Sequence, residues 1–190
     1  MTDLQRALEE LRAGRPAVIP TDTVYGLAAA CAAAPALFAL KGRPQTKALP
    51  VLASSISDLE RVATFSEAAL RIAERLWPGP LTLVLEREPS FDADLGGDGA
   101  TIAVRVPAHK VALELLAGSG PVAVTSANRT GEPPSMTVAD ARAAFGNEVR
   151  AYVDEGRCDG APSSVISVTD ELTVLRAGPV TLAEVRQALE

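Results

Sequence analysis

The sequence predicts a single α/β domain in which an open, twisted, mixed β-sheet is flanked by helices. Short apolar runs of strand length alternate with amphipathic segments of helical periodicity along the whole chain. A polar turn at 168–172 separates two strand-like runs, which indicates some antiparallel pairing. No internal repeat and no Pro- or Ser-rich linker divides the 190 residues. One domain covering 1–190 is therefore expected.

The first predicted elements are a helix and a buried strand. Leu4, Leu8 and Leu11 recur at helical spacing between charged residues, and Gly14 ends that helix, which covers 2–13. Residues 17–19 (AVI) are wholly apolar and predict a buried strand. The elements predicted after it are a helix at 34–41, a strand at 49–53 and an amphipathic helix at 66–77 that Pro-Gly-Pro ends.

The second half of the chain alternates strand-like runs with helices. Apolar runs predict strands at 81–85, 101–106, 122–125, 165–168 and 172–175. Helical periodicity predicts helices at 108–117, 137–145 and 181–189. The stretch at 86–100 is polar and Gly-rich, which predicts a mobile loop and makes it a candidate lid.

The composition is that of an acidic globular protein. The chain is 47% hydrophobic and 22% charged, with a formal net charge of −6. This balance disfavours tight non-specific binding to nucleic acid, because the phosphate backbone binds clustered Lys and Arg. There is no apolar run long enough to span a membrane, and the N-terminal residues lack the apolar segment of a signal peptide. A cytoplasmic protein is expected.

Cysteine and histidine are scarce. Cys31 and Cys158 are too few for a disulfide framework and lack metal-ligand spacing, so both are expected to be free. The single histidine, His109, stands where a helix begins and is expected in its solvated first turn. A zinc site or a Ser-His-Asp triad would depend on that one residue. Neither a catalytic side chain nor a metal ligand is assigned from the sequence.

Hydroxyl-rich segments adjoin three of the predicted strands. They are TDT at 21–23, TSAN at 125–128 and APSS at 161–164. In α/β sheets, ligands bind in crevices at strand ends, where hydroxyls and free N–H groups hold carboxylates and phosphates. Ordinary caps and turns account equally well for any one of these segments. The three together, beside basic residues, favour an anion-binding cleft.

The basic residues Lys41, Arg43 and Lys47 lie within seven positions, the first two in the segment KGRP. Cations at the C-terminal end of a helix are favourable in any case, which is the structural alternative. Pro44 stiffens the exit from this helix, and a fixed guanidinium beside it is suited to gripping a phosphate. The chain has neither a GxxxxGK[ST] nor a GxGxxG motif, so any nucleotide binds without the common phosphate loops.

Two further arginines close predicted strands. Arg105 ends the run TIAV, and Arg176 follows Val174 and Leu175. Each is either a surface cation or a clamp for a carboxylate in the cleft. Pattern alone leaves both readings open.

Taken in order, these segments resemble the YrdC family, the threonylcarbamoyl-AMP synthases of the short bacterial single-domain type. The resemblance runs from Pro16 to about Gly178. It is carried by PTDTVYGL, KGRP, WPGPLTLVL, IAVRVP, TSANRTGEPP, PSSVISV and VLRAG, in that order and spacing. It implies a YrdC-like fold: an open mixed sheet flanked by helices, with a large concave cleft.

The resemblance also implies a reaction. Such an enzyme is a nucleotidyltransferase that converts L-threonine, bicarbonate and ATP into threonylcarbamoyl-AMP and pyrophosphate. Mg²⁺ is expected with the ATP. The product is passed to a tRNA threonylcarbamoyl-transferase complex that makes N(6)-threonylcarbamoyladenosine in tRNA. Little or no direct nucleic-acid binding is expected of this acidic chain.

Site roles carry over by position. The implied threonine-binding residues are Thr21, Arg105 and Ser163. The implied nucleotide-binding residues are Lys41, Arg43, Thr101, Ser126, Asn128, Ser135 and Arg176. These roles suit the chemistry, because the reaction needs positioning of three reactants and neutralisation of phosphate charge more than a nucleophile.

The chain departs from the family pattern at a few positions. Lys47 stands where many relatives have Asn, and Leu52 where they have His, which leaves the roles of these two positions open. The main alternative is a non-catalytic paralogue that binds double-stranded RNA or acts in ribosome maturation. A carbamoyl-transfer domain of hydrogenase maturation is a second alternative, but it normally lies in a much longer chain.

Overall fold

The computed structural model describes residues 1–190. The helices are α1 (Asp3–Arg12), α2 (Pro35–Lys41), α3 (Ile56–Leu59), α4 (Glu67–Leu76), α5 (Lys110–Ser119), α6 (Val138–Phe145) and α7 (Leu182–Gln187). The strands are β1 (Ala17–Ile19), β2 (Gly26–Ala30), β3 (Val51–Leu52), β4 (Ala63–Thr64), β5 (Leu81–Arg87), β6 (Thr101–Arg105), β7 (Val122–Ser126), β8 (Ala151–Tyr152), β9 (Ser164–Ser167) and β10 (Thr173–Arg176).

All six predicted helices are present, and side-chain caps set where five of them begin, α2 being the exception. Thr2, Thr137 and Thr181 each accept a hydrogen bond from the third residue of the helix that follows, whose side chain bonds back to the cap. His109 caps α5 by accepting from the Ala112 amide at 3.4 Å, so the predicted first-turn position is its N-terminal boundary. Glycine 42, in the left-handed conformation, ends α2.

The ten strands form one mixed sheet in the order β10-β9-β5-β6-β3-β7-β2-β1-β8, with β4 on β5. Three neighbouring pairs are parallel: β1 with β8, β3 with β6, and β5 with β9. The remaining pairs are antiparallel, including the β9–β10 hairpin predicted from the turn at 168–172. The predicted mixed sheet with flanking helices is confirmed.

The helices cover the two faces of the sheet unequally. Side chains alternate between the two faces of the sheet along β1, and the core is divided accordingly. Val18 belongs to a cluster of 35 buried residues, and Ala17 and Ile19 belong to a second cluster of 12 on the other face. The larger cluster contains the buried residues of α2, α4, α6 and α7. The smaller contains buried residues of α1 and α5, and α1 packs against α5 and over β1 and β8. This smaller cluster includes no residue of β5, β6 or β9, which leaves room for a cleft on the second face.

Four elements were not predicted from the sequence: α3, β2, β4 and β8. The sequence of β2, GLAAA, has no β-branched or aromatic residue to favour a strand. It is a strand because β1 and β7 pair with it on both sides. The small residues are needed there, since a Cβ at Gly26 would lie 2.7 Å from the Val124 side chain.

No helix has the length and apolarity required to cross a bilayer. Both cysteines are free, as predicted. Burial raises the pKa of Cys31 to about 11 and also raises the pKa of Cys158, so both thiols stay protonated near neutral pH.

Candidate functional site

A cleft of about 340 Å³ lies on the less covered face of the sheet. Ala103 and Arg105 of β6, Leu52 of β3, and Val124 and Ser126 of β7 form its floor. The lining lies largely at strand ends, where the sequence placed ligands: Arg105, Leu52 and Ser126 are the last residues of β6, β3 and β7. Each of the three hydroxyl-rich segments contributes to the wall. Its size is within the range of small-molecule sites.

The cleft is cationic and rich in hydroxyl groups. Its charged wall residues are Arg43, Arg105 and Arg176, and no carboxylate lines it. Its hydroxyl-bearing wall residues are Thr21, Thr23, Thr82, Thr125, Ser126 and Ser163. In a chain with a net charge of −6, this local reversal of charge indicates a site for an anionic ligand.

Arg105 is held rigidly at one end of the cleft. Its Nε donates to the Gly79 carbonyl at 2.9 Å, Nη1 to the Thr23 hydroxyl at 3.2 Å and Nη2 to Asp22 Oδ1 at 2.5 Å. Of the five guanidinium N–H groups, two remain without a partner, one on each terminal nitrogen. Such a pair is suited to a ligand carboxylate.

The Arg105–Asp22 ion pair is buried, with side chains 6% and 12% exposed. Burial lowers the pKa of Arg105, and the charge and hydrogen bond of Asp22 act in the opposite direction. Asp22 Oδ2 is shielded from solvent and has no hydrogen-bond partner. Asp22 therefore depends on Arg105 for compensation of its charge, and Arg105 depends on Asp22 for its orientation.

Arg43 and Arg176 both line the cleft. Arg43 donates from Nε to the Lys47 carbonyl and from Nη2 to the Ala48 carbonyl, both at 3.0 Å. Arg176 donates from Nε and Nη2 to the Ser163 carbonyl, at 3.0 and 2.7 Å. Burial lowers the pKa of both guanidinium groups. The positive charge of Arg176 lowers the pKa of Arg43 further, and that of Arg105 lowers the pKa of Arg176. Because this mutual repulsion is relieved by an anion, the pair is suited to phosphate.

A β-bulge at Leu175 directs Arg176 into the cleft. The pairing of β10 with β9 shifts between Val174 and Arg176, so that Leu175 is extra and its side chain lies 58% exposed. Gly178 lets this strand end lie close to the β9 entrance, since a Cβ there would lie 2.4 Å from the Ser164 amide nitrogen. Only the folded pairing reveals this placement of Arg176.

Thr21 lines the cleft, but its hydroxyl is occupied within its own turn. It donates to the Val24 carbonyl at 2.6 Å, lies 3.0 Å from the Thr23 hydroxyl and accepts from the Thr23 and Val24 amides. Thr23 makes the contact with Arg105 instead. The predicted role of Thr21 as a threonine ligand stays a prediction.

Lys41 lies behind the cleft wall and not on it. Its ammonium donates to the carbonyl and hydroxyl of Ser126, at 2.7 and 3.2 Å, and to the carbonyl and Oδ1 of Asn128, at 2.7 and 3.0 Å. An ammonium has three N–H groups, so these acceptors leave none for a phosphate. The geometry makes Lys41 a brace for the loop after β7, and its predicted contact with the triphosphate stays a prediction.

Asn128 and Ser135 also act within that loop and do not line the cleft. The Asn128 amide donates to the Arg129 and Glu132 carbonyls, at 2.9 and 2.7 Å. Ser135 donates to the Ala127 carbonyl, and its own carbonyl accepts from the Tyr25 amide at 3.0 Å. Thr101 lies at the far end of β6, four residues from Arg105. The nucleotide-binding roles of these three residues stay predictions.

Sequence reasoning missed Asp22, Thr23, Thr82 and Thr125 as individual site residues. Thr23 and Thr125 stand in segments already marked by their hydroxyls, so a signal was present. The sequence signal at Thr82 is weaker, since it is only a polar residue in the otherwise apolar run LTLVL. The contacts of Asp22 and Thr82 join residues more than 80 positions apart, which no local pattern reveals.

The loop at 86–100 packs against the segment that holds Arg43. The Gly97 amide donates to the Gln45 carbonyl and the Leu49 amide to the Leu95 carbonyl, both at 2.8 Å. Leu95 is 3% exposed. These contacts support the Arg43 turn from outside the cleft.

Raising the pH above about 8 is expected to weaken nucleotide binding through Lys41. Burial and repulsion from Arg43 lower the pKa of Lys41 from 10.5 to about 8, and the negative charge of Glu132 offsets part of this shift. The neutral amine has fewer N–H groups with which to hold the loop at Ser126. Because the folded pKa lies below the unfolded one, deprotonation favours the folded state, so this group does not lower the melting temperature in that window. Calorimetric titration with a non-hydrolysable ATP analogue, from about pH 7 to about pH 9.5, measures the effect.

The matched control is Lys41→Met, whose dissociation constant is expected to be higher and independent of pH in this range. A wild-type dissociation constant that stays constant across the range would contradict the role of Lys41.

Comparison with known proteins agrees with the site. The model of the Sua5/YciO/YrdC family, described as "Telomere recombination", matches residues 9–178. A "Putative threonylcarbamoyl-AMP synthase" of Mycobacterium leprae is 40% identical over 96% of this chain and 86% of its own length. The Threonylcarbamoyl-AMP synthase of Bacillus subtilis is 32% identical over 98% of this chain and 56% of its own.

Solved structures give the same result. Pyrococcus abyssi Sua5 complexed with L-threonine has a TM-score of 0.93 at 34% identity, and the match covers 98% of this chain. The chain spans 57% of the length of that Sua5. Escherichia coli YciO, with a TM-score of 0.86 at 23% identity, shares the fold. With a family model that covers most of the chain and relatives that match over nearly all of it, this protein belongs to the Sua5/YciO/YrdC family.

Proposed function

We propose that the protein is an L-threonylcarbamoyladenylate synthase. The observation that carries the proposal is a cleft without carboxylates that is lined by three arginines, Arg43, Arg105 and Arg176. The two unpartnered N–H groups of Arg105 suit an amino-acid carboxylate, and Arg43 and Arg176 suit a triphosphate. Relatives named threonylcarbamoyl-AMP synthase support this assignment.

In this proposal the two free N–H groups of Arg105 hold the carboxylate of L-threonine. Its amine then lies over the floor of the cleft, where it attacks bicarbonate carbon, forms an N–C bond and releases water. Asp22 and Thr23 fix the orientation of Arg105 from behind. Holding the reactants in one geometry supplies much of the rate acceleration.

At the other end, Arg43 and Arg176 bind the phosphates of ATP, and Ser126 and the loop braced by Lys41 bind the rest of the nucleotide. A carbamate oxygen attacks the α-phosphorus, the bond to the bridging oxygen breaks, and pyrophosphate leaves. The two guanidinium groups offset the charge that accumulates on the phosphate oxygens. Donors fixed before the reaction need no reorganisation during it.

Magnesium enters, in this proposal, as part of the substrate MgATP. The cleft wall has no carboxylate, and no group of three or more His, Cys, Asp or Glu residues could hold a metal. Because Mg²⁺ prefers carboxylate, phosphate and water oxygens, the triphosphate itself is the natural source of its ligands.

The product is proposed to pass to the tRNA-modifying complex that transfers its threonylcarbamoyl group. Direct RNA binding is not needed for this role. The three arginines are gathered inside a cleft of about 340 Å³, which is too small to admit a double helix.

A pyrophosphate-release assay tests the proposed function. With threonine, bicarbonate and MgATP together, release is expected, and omission of any one of them is expected to abolish it. Mass spectrometry is expected to detect threonylcarbamoyl-AMP in the complete mixture. Release that proceeds without threonine would overturn the proposal.

A further inference from the structure

Thr82 is a buried polar residue whose hydroxyl has one partner in the chain. It lies on β5, is 4% exposed and lines the cleft, while its neighbours Leu81 and Leu83 are fully buried in the core. Its Oγ1 lies 2.8 Å from the Ser163 hydroxyl. This hydrogen bond offsets the cost of burying a hydroxyl in an otherwise apolar strand.

A count of protons shows that the Thr82–Ser163 pair has one O–H to spare. Each hydroxyl carries one proton. One of the two protons lies between the oxygens, whichever residue donates it. Ser163 Oγ also accepts from Arg176 Nη2 at 3.0 Å. The other proton has no acceptor in the chain and, because both residues line the cleft, it is available to a ligand.

The pair lies between Arg105 and Arg176 in the sheet. Strands β6, β5, β9 and β10 are neighbours in that order, with Arg105 on β6, Thr82 on β5 and Arg176 on β10. Ser163 directly precedes β9 and binds Arg176 through both its carbonyl and its hydroxyl. The spare O–H therefore stands between the guanidinium assigned to the threonine carboxylate and one of those assigned to the phosphates.

We propose that Thr82, Ser163 and Arg176 form an oxyanion-binding group for the carbamate of threonine, with Thr82 as its positioning residue. The inference rests on the proposed function. The middle of the ligand is where threonine nitrogen joins bicarbonate carbon, with loss of water, and where one carbamate oxygen attacks the α-phosphorus as pyrophosphate leaves. The group holds the other carbamate oxygen, which orients the attacking one.

Thr82→Val tests this inference, since valine keeps the shape of threonine and lacks only the hydroxyl. The kcat of threonine-dependent pyrophosphate release is expected to fall roughly 10- to 100-fold, and the KM for bicarbonate to rise. Dissociation constants for threonine and for a non-hydrolysable ATP analogue are expected to stay within about twofold of wild type. Thr82→Ser, which restores the hydroxyl, is expected to restore kcat.

Thr64→Val, the same change on β4, is the matched control because Thr64 is exposed and outside the cleft. Wild-type kinetics in Thr82→Val would overturn the inference and leave the proposed function standing. So would a Thr82→Ser variant as slow as Thr82→Val, because that result would reflect packing. A wild-type protein without threonine-dependent release would overturn both.

Discussion

Replacing Arg105 with alanine is expected to raise the KM for threonine roughly 10- to 100-fold. The two unpartnered N–H groups of the guanidinium are lost, and with them the proposed charge-assisted bonds to the threonine carboxylate. The KM for ATP is expected to change much less, since Arg43 and Arg176 remain. Steady-state kinetics with each substrate varied in turn provides the measurement.

The same substitution is expected to destabilise the fold. It leaves the buried carboxylate of Asp22 without its counter-charge, and removing one partner of a buried ion pair typically costs about 3–5 kcal/mol. Chemical denaturation measures this loss as a lower free energy of unfolding. A variant that unfolds before assay would leave the kinetic result ambiguous, so a second variant is needed.

The double variant Asp22→Asn/Arg105→Ala separates the two effects. It removes both charges, so much of the stability is expected to return while the KM for threonine stays high. Arg75→Ala, at an exposed end of α4, is the control for loss of a cation. An unchanged KM for threonine in a folded variant would show that the carboxylate is held elsewhere.

Replacing Arg43 with alanine is expected to raise the KM for ATP by roughly 10- to 100-fold and to leave the fold intact. Arg43 donates only to two carbonyls of its own turn, so its loss leaves no buried charge behind. It does remove a guanidinium from the cleft that Arg176 also lines. Kinetics with ATP varied, together with thermal denaturation, measures both parts.

Lys47→Ala is the matched control for Arg43→Ala. It removes the same charge from the same segment, but the Lys47 side chain is exposed and does not line the cleft. Nearly unchanged kinetics is expected. If both variants lose the same activity, the effect belongs to the general charge of the segment and Arg43 is not a specific phosphate ligand.

The order of elements was largely predictable because it depends on local periodicity. The amphipathic helix at 66–77 and the apolar run at 81–85 each display their own pattern, and α4 and β5 occupy these positions. The segment GLAAA has no such pattern, and pairing with β1 and β7 makes it a strand. Hydrophobic periodicity does not predict the secondary structure of a segment whose conformation is selected by strands that are distant in sequence.

The candidate site likewise includes residues that the sequence predicts and contacts that only the fold shows. Residue type and motif order were enough to select Arg43, Arg105 and Ser163. Lys41 shows the limit of such selection. The segment KGRP predicts two cations for the phosphates, yet one of them is bonded to the loop around Ser126 and Asn128.

The sequence by itself determined an α/β domain, an acidic chain with a few clustered cations, and the family to which these motifs belong. Tertiary structure decided which of the cations are free to bind a ligand. That depends on acceptors distant along the chain, such as Asp22 for Arg105 and Ser163 for Arg176. A hydrogen-bond donor has a fixed number of protons, and only the folded chain shows which of them are already used.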